Sequence, residues 1–195
     1  MQVITIIMSG KLIIFAAPSG SGKTTIIKRL LALGYPLNFS ISATTRSPRT
    51  GEIDGKDYHF LSEADFRKHI EERNFVEWEE VYSGCFYGTL KSEIEKHLNQ
   101  GEHVVFDVDV VGALNIKKEY RERALAIFVM PPSLEVLKER LLIRASESEE
   151  TLQMRLAKAA HEMSFAPQFD LILVNNQIDD TVKEVREIID HFLKL

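Results

Sequence analysis

The stretch FAAPSGSGKTTI, residues 15–26, places glycines, a lysine and hydroxyl side chains between an apolar run and an amphipathic one. It resembles the pattern G-x-x-x-x-G-K-[ST], which needs a strand before it and a helix after it. Backbone N–H groups in such a loop form a concave nest for anionic oxygens, and the helix N-terminus adds partial positive charge. The pattern therefore predicts a nucleotide-phosphate site formed by Ala17, Pro18, Ser19, Gly20, Ser21, Gly22, Lys23, Thr24 and Thr25.

Three positions of this loop carry specific expectations. Lys23 would reach the β- and γ-phosphates, and the hydroxyl of Thr24 would bind Mg²⁺. Ala17 stands where the pattern begins with glycine. A left-handed φ at an alanine costs about 1–2 kcal/mol. We therefore expect a negative φ at Ala17.

Arginines and a tyrosine indicate a second anion site. The stretch SISATTRSPRTGEIDGKDYHF, residues 40–60, contains Arg46, Arg49 and Tyr58. Two guanidinium groups and a phenol suit a dianionic phosphate, because arginine binds phosphate oxygens in a bidentate manner. The residue types thus predict two phosphate sites in one chain.

Acidic and hydroxyl residues farther along could read a nucleobase. Glu77 lies in FVEW, and Tyr87 and Thr89 lie in CFYGT. A carboxylate accepts the N1 and N2 donors of guanine, whereas adenine has no 2-amino group and an acceptor at N1. Such a site discriminates by a factor of about 10⁴. Taken alone, Glu77 could also be an outward-facing residue of a strand.

Two further sets of charged residues fit phosphate chemistry. Asp107 and Asp109 end a buried strand, where paired carboxylates are unfavourable without cations. Arg140 and Arg144 are four residues apart and leave one face of a predicted helix. They could stabilise a transferring phosphoryl group, or pair with neighbouring glutamates as a solvated face.

Composition limits the class of protein that positions these residues. The chain has 195 residues, 45% of them apolar, and a net charge of −5. That size suits one core with a small inserted lobe, and the negative charge argues against non-specific nucleic-acid binding. No run reaches the ~20 apolar residues of a membrane span. The single cysteine fits a reducing, cytoplasmic setting. Translation could start at Met1 or Met8.

Apolar runs alternate with amphipathic ones, which predicts an α/β fold with a parallel central sheet flanked by helices. The predicted strands are 11–16, 103–109, 124–130 and 170–175. The predicted helices are 23–33, 110–120, 133–144, 150–164 and 181–194. Thr181 and Glu184 have the spacing of a capping box for the last helix.

Residues 39–90 break this alternation. FSIS, DYHFL and NFVEWEEVY have the character of short strands, with one helix near 63–72. We interpret the stretch as an inserted lobe with a mixed or antiparallel sheet.

The chain resembles the guanylate kinases, which are P-loop nucleoside monophosphate kinases, over nearly its whole length. The resemblance rests on S-x-T-T-R-x-P-R, G-x-D-Y-x-F, E-W, Y-G-T, D-x-D, P-P-S and R-L-x-x-R in that order. It implies one domain over 1–195, with a core of 8–38 and 100–195. It also implies a GMP-binding lobe of about 39–90 and a helical lid of about 140–160.

The resemblance also implies a role for each matching residue. Arg46, Arg49, Tyr58 and Tyr87 would hold the GMP phosphate, while Ser42, Glu77 and Thr89 would read guanine. Asp109 would lie on the GMP side of the cleft, and Asp107 would join Thr24 near Mg²⁺. Lys23, Arg140, Arg144 and Arg155 would be catalytic, and Asn175 would contact adenine.

The implied reaction is transfer of the γ-phosphoryl of MgATP to GMP or dGMP, with ATP and GMP as partners and no nucleic acid or membrane. The resemblance implies no oligomeric state. Val111 replaces a usual glutamine, and Ala145 and Ser146 replace a usual Gly-Thr in the lid. A stiffer lid hinge would follow from the second departure.

Two other functions remain open from the sequence. One is a non-catalytic guanylate-kinase-like interaction module, against which the intact Lys23 and Thr24 argue. The other is a related kinase of another phosphorylated acceptor, such as a sugar bisphosphate. The guanine-reading residues argue against that second function.

Overall fold

The computed structural model describes residues 10–144 and 149–194, and their side chains except those of 143–144 and 149–151. Several expectations lie outside this description: the side chain of Arg144, the lid positions Ala145 and Ser146, and the choice of start between Met1 and Met8.

Helices and strands follow one another along most of the described chain. In chain order the elements are β1 (Leu12–Ala16), α1 (Lys23–Ala32), β2 (Leu37–Phe39), β3 (Ala43–Thr44), β4 (His59–Phe60), α2 (Glu63–Glu71), β5 (Phe75–Tyr82), β6 (Cys85–Leu90), α3 (Lys91–Asn99), β7 (His103–Asp107), α4 (Val110–Tyr120), β8 (Ala124–Met130), α5 (Leu134–Arg144), α6 (Glu149–Met163), β9 (Leu171–Val174) and α7 (Ile178–Lys194).

Five strands form a main sheet in the order β2-β7-β1-β8-β9. Every neighbouring pair is parallel. Alternate residues of a strand point to opposite faces, so Ile14 packs against α3 and α4 while Ile13 packs against α1 and α7. Helices cover both faces, which explains why the strands are apolar runs without alternation. The predicted α/β class with a parallel central sheet is confirmed.

A second, small sheet has the order β4-β3-β6-β5. β3 pairs with β4 in parallel, and the two pairs that include β6 are antiparallel. Phe66 of α2 stacks on Phe75 and Phe86, with ring centroids 4.3 and 5.3 Å apart. The predicted mixed sheet is confirmed, and it has its own small aromatic core.

Two local expectations were wrong, and some elements were not predicted. FSIS is not a strand of the small sheet, because Phe39 ends β2 in the main sheet and the small sheet begins at Ala43. The helix α3 and the strand character of β6 were not predicted. The capping box at Thr181 is also wrong, because α7 begins at Ile178. The Thr181 hydroxyl instead lies 2.9 Å from the C=O of Gln177, one turn back.

The parallel sheet determines where the site forms. The phosphate loop follows β1, and Asp107 to Asp109 follow its neighbour β7. Carboxyl ends of parallel strands share one edge of the sheet, where open α/β folds bind ligands. No helix among the residues 10–144 and 149–194 combines the length and apolarity needed to cross a membrane.

Candidate active site

The phosphate loop, residues 17–25, has the backbone that anion binding requires. Gly20 and Gly22 have φ of 90° and 95°, in the left-handed region that favours glycine. Ala17 is outside that region and is 8% exposed, within the core cluster that contains Phe15 and Ile26. The expectation of a negative φ at Ala17 is confirmed. Alanine fits there because the position is part of the core.

Lys23 and Thr24, the first residues of α1, both contact the end of β7. Lys23 Nζ lies 2.8 Å from Asp107 Oδ1 and also donates to the C=O of Val108. Thr24 Oγ1 donates to Asp107 Oδ2 at 2.7 Å. The structure thus brings together the lysine, the hydroxyl and the carboxylate expected at one phosphate site.

These residues border a cavity of about 350 Å³, called the phosphate cavity here. The loop residues 17–20 and 22–24 line it on one side, and Asp107, Asp109 and Glu162 line it on the other. Burial raises the pKa of the half-buried Glu162, although the charges of Lys158 and Lys23 act in the opposite direction. Cationic and backbone N–H groups on one wall face carboxylates on the other.

The residues at this cavity fit a magnesium ion. In the part of the chain that the structure describes, no group of three or more His, Cys, Asp or Glu could hold a metal by itself. Mg²⁺ commonly uses one or two protein oxygens and completes its shell with water and substrate phosphates. The adjacent oxygens of Thr24 and Asp107 meet that requirement.

Glu77 lines a cavity of about 110 Å³ together with Glu79 and Asp109, called the small acidic cavity here. It is 9% exposed and accepts a hydrogen bond from Thr89 Oγ1 at 2.6 Å. Burial raises the Glu77 pKa to about 7. The hydrogen bond from Thr89 lowers this pKa, and the negative charge of Asp109 raises it further. A Cβ on Gly112 would lie 3.0 Å from Glu77 Oε2, so glycine lets α4 approach this carboxylate.

Asp109 connects the phosphate cavity and the small acidic cavity, because it lines both. It is the N-cap of α4, and its Oδ1 accepts from the N–H of Gly112 at 2.9 Å. This cap fixes the carboxylate between the phosphate loop and Glu77. The two candidate substrate sites are therefore adjacent.

Arg46 is held by a set of contacts on the small sheet. Its Nε donates to Tyr87 OH at 3.0 Å, and its guanidinium lies 4.8 Å from the ring centroid of Tyr58. Two hydrogen bonds of 2.6 Å join Arg46 to Glu52, whose carboxylate also accepts from the N–H of Arg49. Three of the four expected phosphate-binding side chains, Arg46, Tyr58 and Tyr87, thus meet, and the backbone of Arg49 joins them.

The sequence did not indicate Glu52 or Glu162 as site residues. The hydrogen bonds from Arg46 lower the pKa of Glu52 to about 2, so it stays ionised beside the guanidinium. The spacing of Glu52 six residues after Arg46 gives no periodic signal. Glu162 follows an exposed-looking His161, and only the packing of α6 shows that it lines the phosphate cavity.

Arg140 lines a separate cavity of about 410 Å³, which Gly20 and Gly22 also border. Its Nη2 donates to the C=O of Asn175 at 3.0 Å. Arg155 is exposed on α6, and Ser42 is half-buried just before β3. The structure thus places neither Arg140 nor Arg155 on the walls of the phosphate cavity.

Asn175 is 3% exposed at the end of β9. Its Nδ2 donates to the C=O of Ser21 at 2.7 Å, and its Oδ1 accepts from Thr181 at 3.1 Å. A Cβ on Gly22 would lie 2.3 Å from this amide nitrogen. The side chain expected to contact adenine is therefore already engaged with the phosphate loop.

Comparisons with known proteins agree with this geometry. The guanylate kinase family model matches residues 9–192. The guanylate kinase of Bacteroides thetaiotaomicron is 54% identical over 186 residues, which cover 95% of this chain and 91% of that protein. The guanylate kinase of Porphyromonas gingivalis is 52% identical over 184 residues, or 94% of this chain and 98% of that protein.

A solved structure adds a comparison of folds. The crystal structure of guanylate kinase from Anaplasma phagocytophilum matches with a TM-score of 0.73 and 29% identity, over 94% of this chain and 86% of that one. The match of the family model begins before β1, ends two residues before the end of α7 and includes both sheets. This chain belongs to the guanylate kinase family.

Proposed function

We propose that the phosphate cavity and the small acidic cavity together form the active site for the reaction of this family. The γ-phosphoryl of MgATP is transferred to GMP or dGMP, and the products are ADP and GDP or dGDP. The observation that carries the proposal is that Asp109 borders both the phosphate cavity and the small acidic cavity. The γ-phosphate of the donor and the phosphate of the acceptor can therefore come into contact with no other part of the protein between them.

The donor half consists of the phosphate loop and the start of α1. The loop amides and the α1 N-terminus bind the β- and γ-phosphates, and Lys23 moves from Asp107 to the donor oxygens. Thr24 and Asp107 hold Mg²⁺, which offsets negative charge on the phosphates when it is bound. The contact of Thr24 with Asp107 supports this assignment.

The acceptor half consists of the small sheet and the start of α4. Arg46, Arg49, Tyr58 and Tyr87 bind the phosphate of GMP. Glu77, when ionised, accepts the N1 and N2 donors of guanine, and the Thr89 hydroxyl holds that carboxylate in place. Ser42 is then the hydroxyl that can donate to O6 of guanine.

The transfer step needs no general base, because the attacking phosphate oxygen of GMP is already anionic. Catalysis comes from in-line alignment of the two nucleotides and from cations that face the developing charge. Lys23 already borders the phosphate cavity, whereas Arg140 and Arg155 must swing toward the phosphates with the lid. Arg144 is proposed for the same role. Closure of the lid excludes water, which would otherwise hydrolyse ATP.

The proposed division of the chain follows the two sheets. The core comprises 8–38 and 100–195, the GMP-binding lobe about 39–90, and the lid about 140–160. The separate aromatic core of the small sheet supports movement of the lobe as a unit. The cytoplasm is the proposed location, since the single cysteine suits a reducing compartment.

The two other functions are disfavoured by the same observations. A non-catalytic module has no use for a lysine and a threonine that both contact Asp107. A kinase of a sugar phosphate has no use for a buried carboxylate that is held by Thr89 beneath α4. This chain has both the contacts of Lys23 and Thr24 with Asp107 and the buried Glu77 that Thr89 holds.

A coupled ADP-release assay over GMP, dGMP, AMP, CMP and UMP tests the proposal. We expect GMP and dGMP to be phosphorylated, and AMP to react at least 10⁴-fold more slowly in kcat/KM. Equal rates with AMP and GMP would refute the guanine assignment. No ADP release with any acceptor would support the non-catalytic module.

A further inference from the structure

Asn175 lies directly behind the phosphate loop and joins it to α7. Its Nδ2 donates to the C=O of Ser21 at 2.7 Å, and its Oδ1 lies 3.1 Å from Thr181 Oγ1. Ser21 is fully buried, and Asn175 and Thr181 are each 3% exposed. We propose that Asn175, oriented by Thr181, is a positioning residue that fixes the phosphate loop in its anion-binding conformation and does not read adenine.

The contact from Asn175 orients the peptide between Ser21 and Gly22. A trans peptide is planar, with its C=O and N–H on opposite sides. The hydrogen bond from Asn175 to the C=O of Ser21 therefore directs the N–H of Gly22 away from Asn175. Gly22 is the N-cap of α1 and lines the phosphate cavity. Its N–H is one of the helix-terminal donors that a phosphate oxygen can satisfy.

The Asn175 amide packs closely against Gly22. A Cβ on Gly22 would lie 2.3 Å from Asn175 Nδ2, a distance that no side chain tolerates. Gly22 also has a φ of 95°, which a larger residue rarely adopts. The glycine thus serves the loop conformation and the approach of the amide at once. The Ser21–Gly22 peptide of the loop therefore packs directly against the Asn175 amide.

Asn175 borders the cavity that contains Arg140, but hydrogen bonds hold both its backbone and its side chain. Its N–H donates to the C=O of Met130 at 2.8 Å, and its C=O accepts from Arg140 at 3.0 Å. Thr181 donates from α7, where its one hydroxyl proton lies between Asn175 Oδ1 and the C=O of Gln177. With both side-chain polar atoms engaged and 3% exposure, the amide has little surface left for a base.

Two threonine variants test the inference with little change in volume. Thr181→Val removes the hydroxyl that orients Asn175, and the matched control Thr181→Ser keeps it. Asn175→Ala leaves the buried C=O of Ser21 without its partner. The ligands are ATP, GTP and inorganic tripolyphosphate, which carries no base. Their dissociation constants are measured by isothermal titration calorimetry with Mg²⁺, alongside that of GMP.

We expect the dissociation constants of all three donors to rise by the same factor, about tenfold, in Thr181→Val and Asn175→Ala. GMP binding stays within twofold of the wild type in both variants, and Thr181→Ser binds the donors as the wild type does. Weaker binding of ATP alone, with GTP and tripolyphosphate unchanged, would show a base contact and overturn the inference. So would unchanged donor binding with only a lower melting temperature.

The inference rests on the proposed function in one respect, namely that the loop binds the donor phosphates. The two fail separately. If the wild type did not phosphorylate GMP in the ADP-release assay, the proposed reaction would be wrong. The comparison of ATP, GTP and tripolyphosphate would still decide whether Asn175 supports the loop.

Discussion

At the scale of single residues, the ionisation of Glu77 sets the pH dependence of GMP binding. Burial raises its pKa to about 7, and only the carboxylate accepts both guanine donors. A group with this pKa is about one-tenth ionised at pH 6 and about nine-tenths ionised at pH 8. We expect GMP affinity, measured by titration calorimetry, to rise about tenfold over that range through Glu77.

The matched variant for this prediction is Glu77→Gln, which keeps the shape but does not titrate. The phosphate of GMP also loses a proton near pH 6, and this contributes equally in both proteins. The difference between the two pH profiles therefore isolates Glu77. Parallel profiles would mean that the carboxylate is already ionised at pH 6 or does not contact the base.

Lys23 should contribute to turnover and not to GMP binding. We expect Lys23→Ala to lower turnover by about 10²–10³-fold, the usual effect of removing one group that stabilises the developing charge. The GMP dissociation constant should change less than twofold, because Lys23 contacts Asp107 and not the small sheet. Steady-state kinetics and GMP titration measure the two quantities.

The control for Lys23 is Lys28→Ala, which removes an exposed lysine from the same helix. This variant should retain wild-type turnover. A loss of turnover as large as that of Lys23→Ala would mean that the general charge of α1, and not the lysine at its start, is what matters.

At the scale of elements, Ala17 joins β1 to the phosphate loop and is part of the core. Ala17→Gly should lower the free energy of unfolding by about 1–2 kcal/mol, from lost burial of a methyl group and a more flexible unfolded chain. The KM for ATP should stay within twofold, since the position already has a negative φ. Urea unfolding and steady-state kinetics measure these effects.

Gly34, just after α1, offers the opposite substitution. It has a φ of 76° and open space around it, so Gly34→Ala costs about 1–2 kcal/mol through backbone strain alone. Both substitutions should therefore destabilise the protein, each for its own backbone reason. A more stable Ala17→Gly protein would show that the loop prefers glycine at its first position.

The elements also show how far the sequence determines the fold. Buried apolar runs predicted β1, β8 and β9 to within one residue at each end, and α4 without error. The short strand β2 was missed, because three residues carry too little periodicity. Thr181 was misread, because a threonine can cap a helix or bond back to the preceding turn, and the sequence does not distinguish the two.

The site was predictable where its residues are close in sequence. The phosphate loop and the cluster around Arg46 follow from local spacing. The contact of Asn175 with Ser21 spans 154 residues and could not be read from spacing. The same holds for Glu162, whose position depends on how α6 packs. The raised pKa of Glu77 depends on burial under α4, which only the fold provides.

At the scale of the whole molecule, the two sheets differ in how much core stabilises them. The small sheet packs around Ala43, Phe66, Phe75 and Phe86, whereas extensive apolar clusters cover both faces of the main sheet. A smaller core opens at a lower free energy, and amide hydrogen exchange reports such openings. Without ligand, the amides of 43–90 should exchange faster than those of β1, β7 and β8.

Each substrate should then protect its own half of the molecule. A ligand that binds only the closed form of a unit stabilises that unit by mass action. We expect saturating GMP to slow exchange mainly in 43–90. ATP should slow it mainly in the phosphate loop and, through Asn175, at the start of α7. Mass spectrometry of exchanged peptides measures both patterns. Equal protection of both sheets by GMP alone would mean that the chain opens as one unit, and the boundary near residue 39 would then have no energetic meaning.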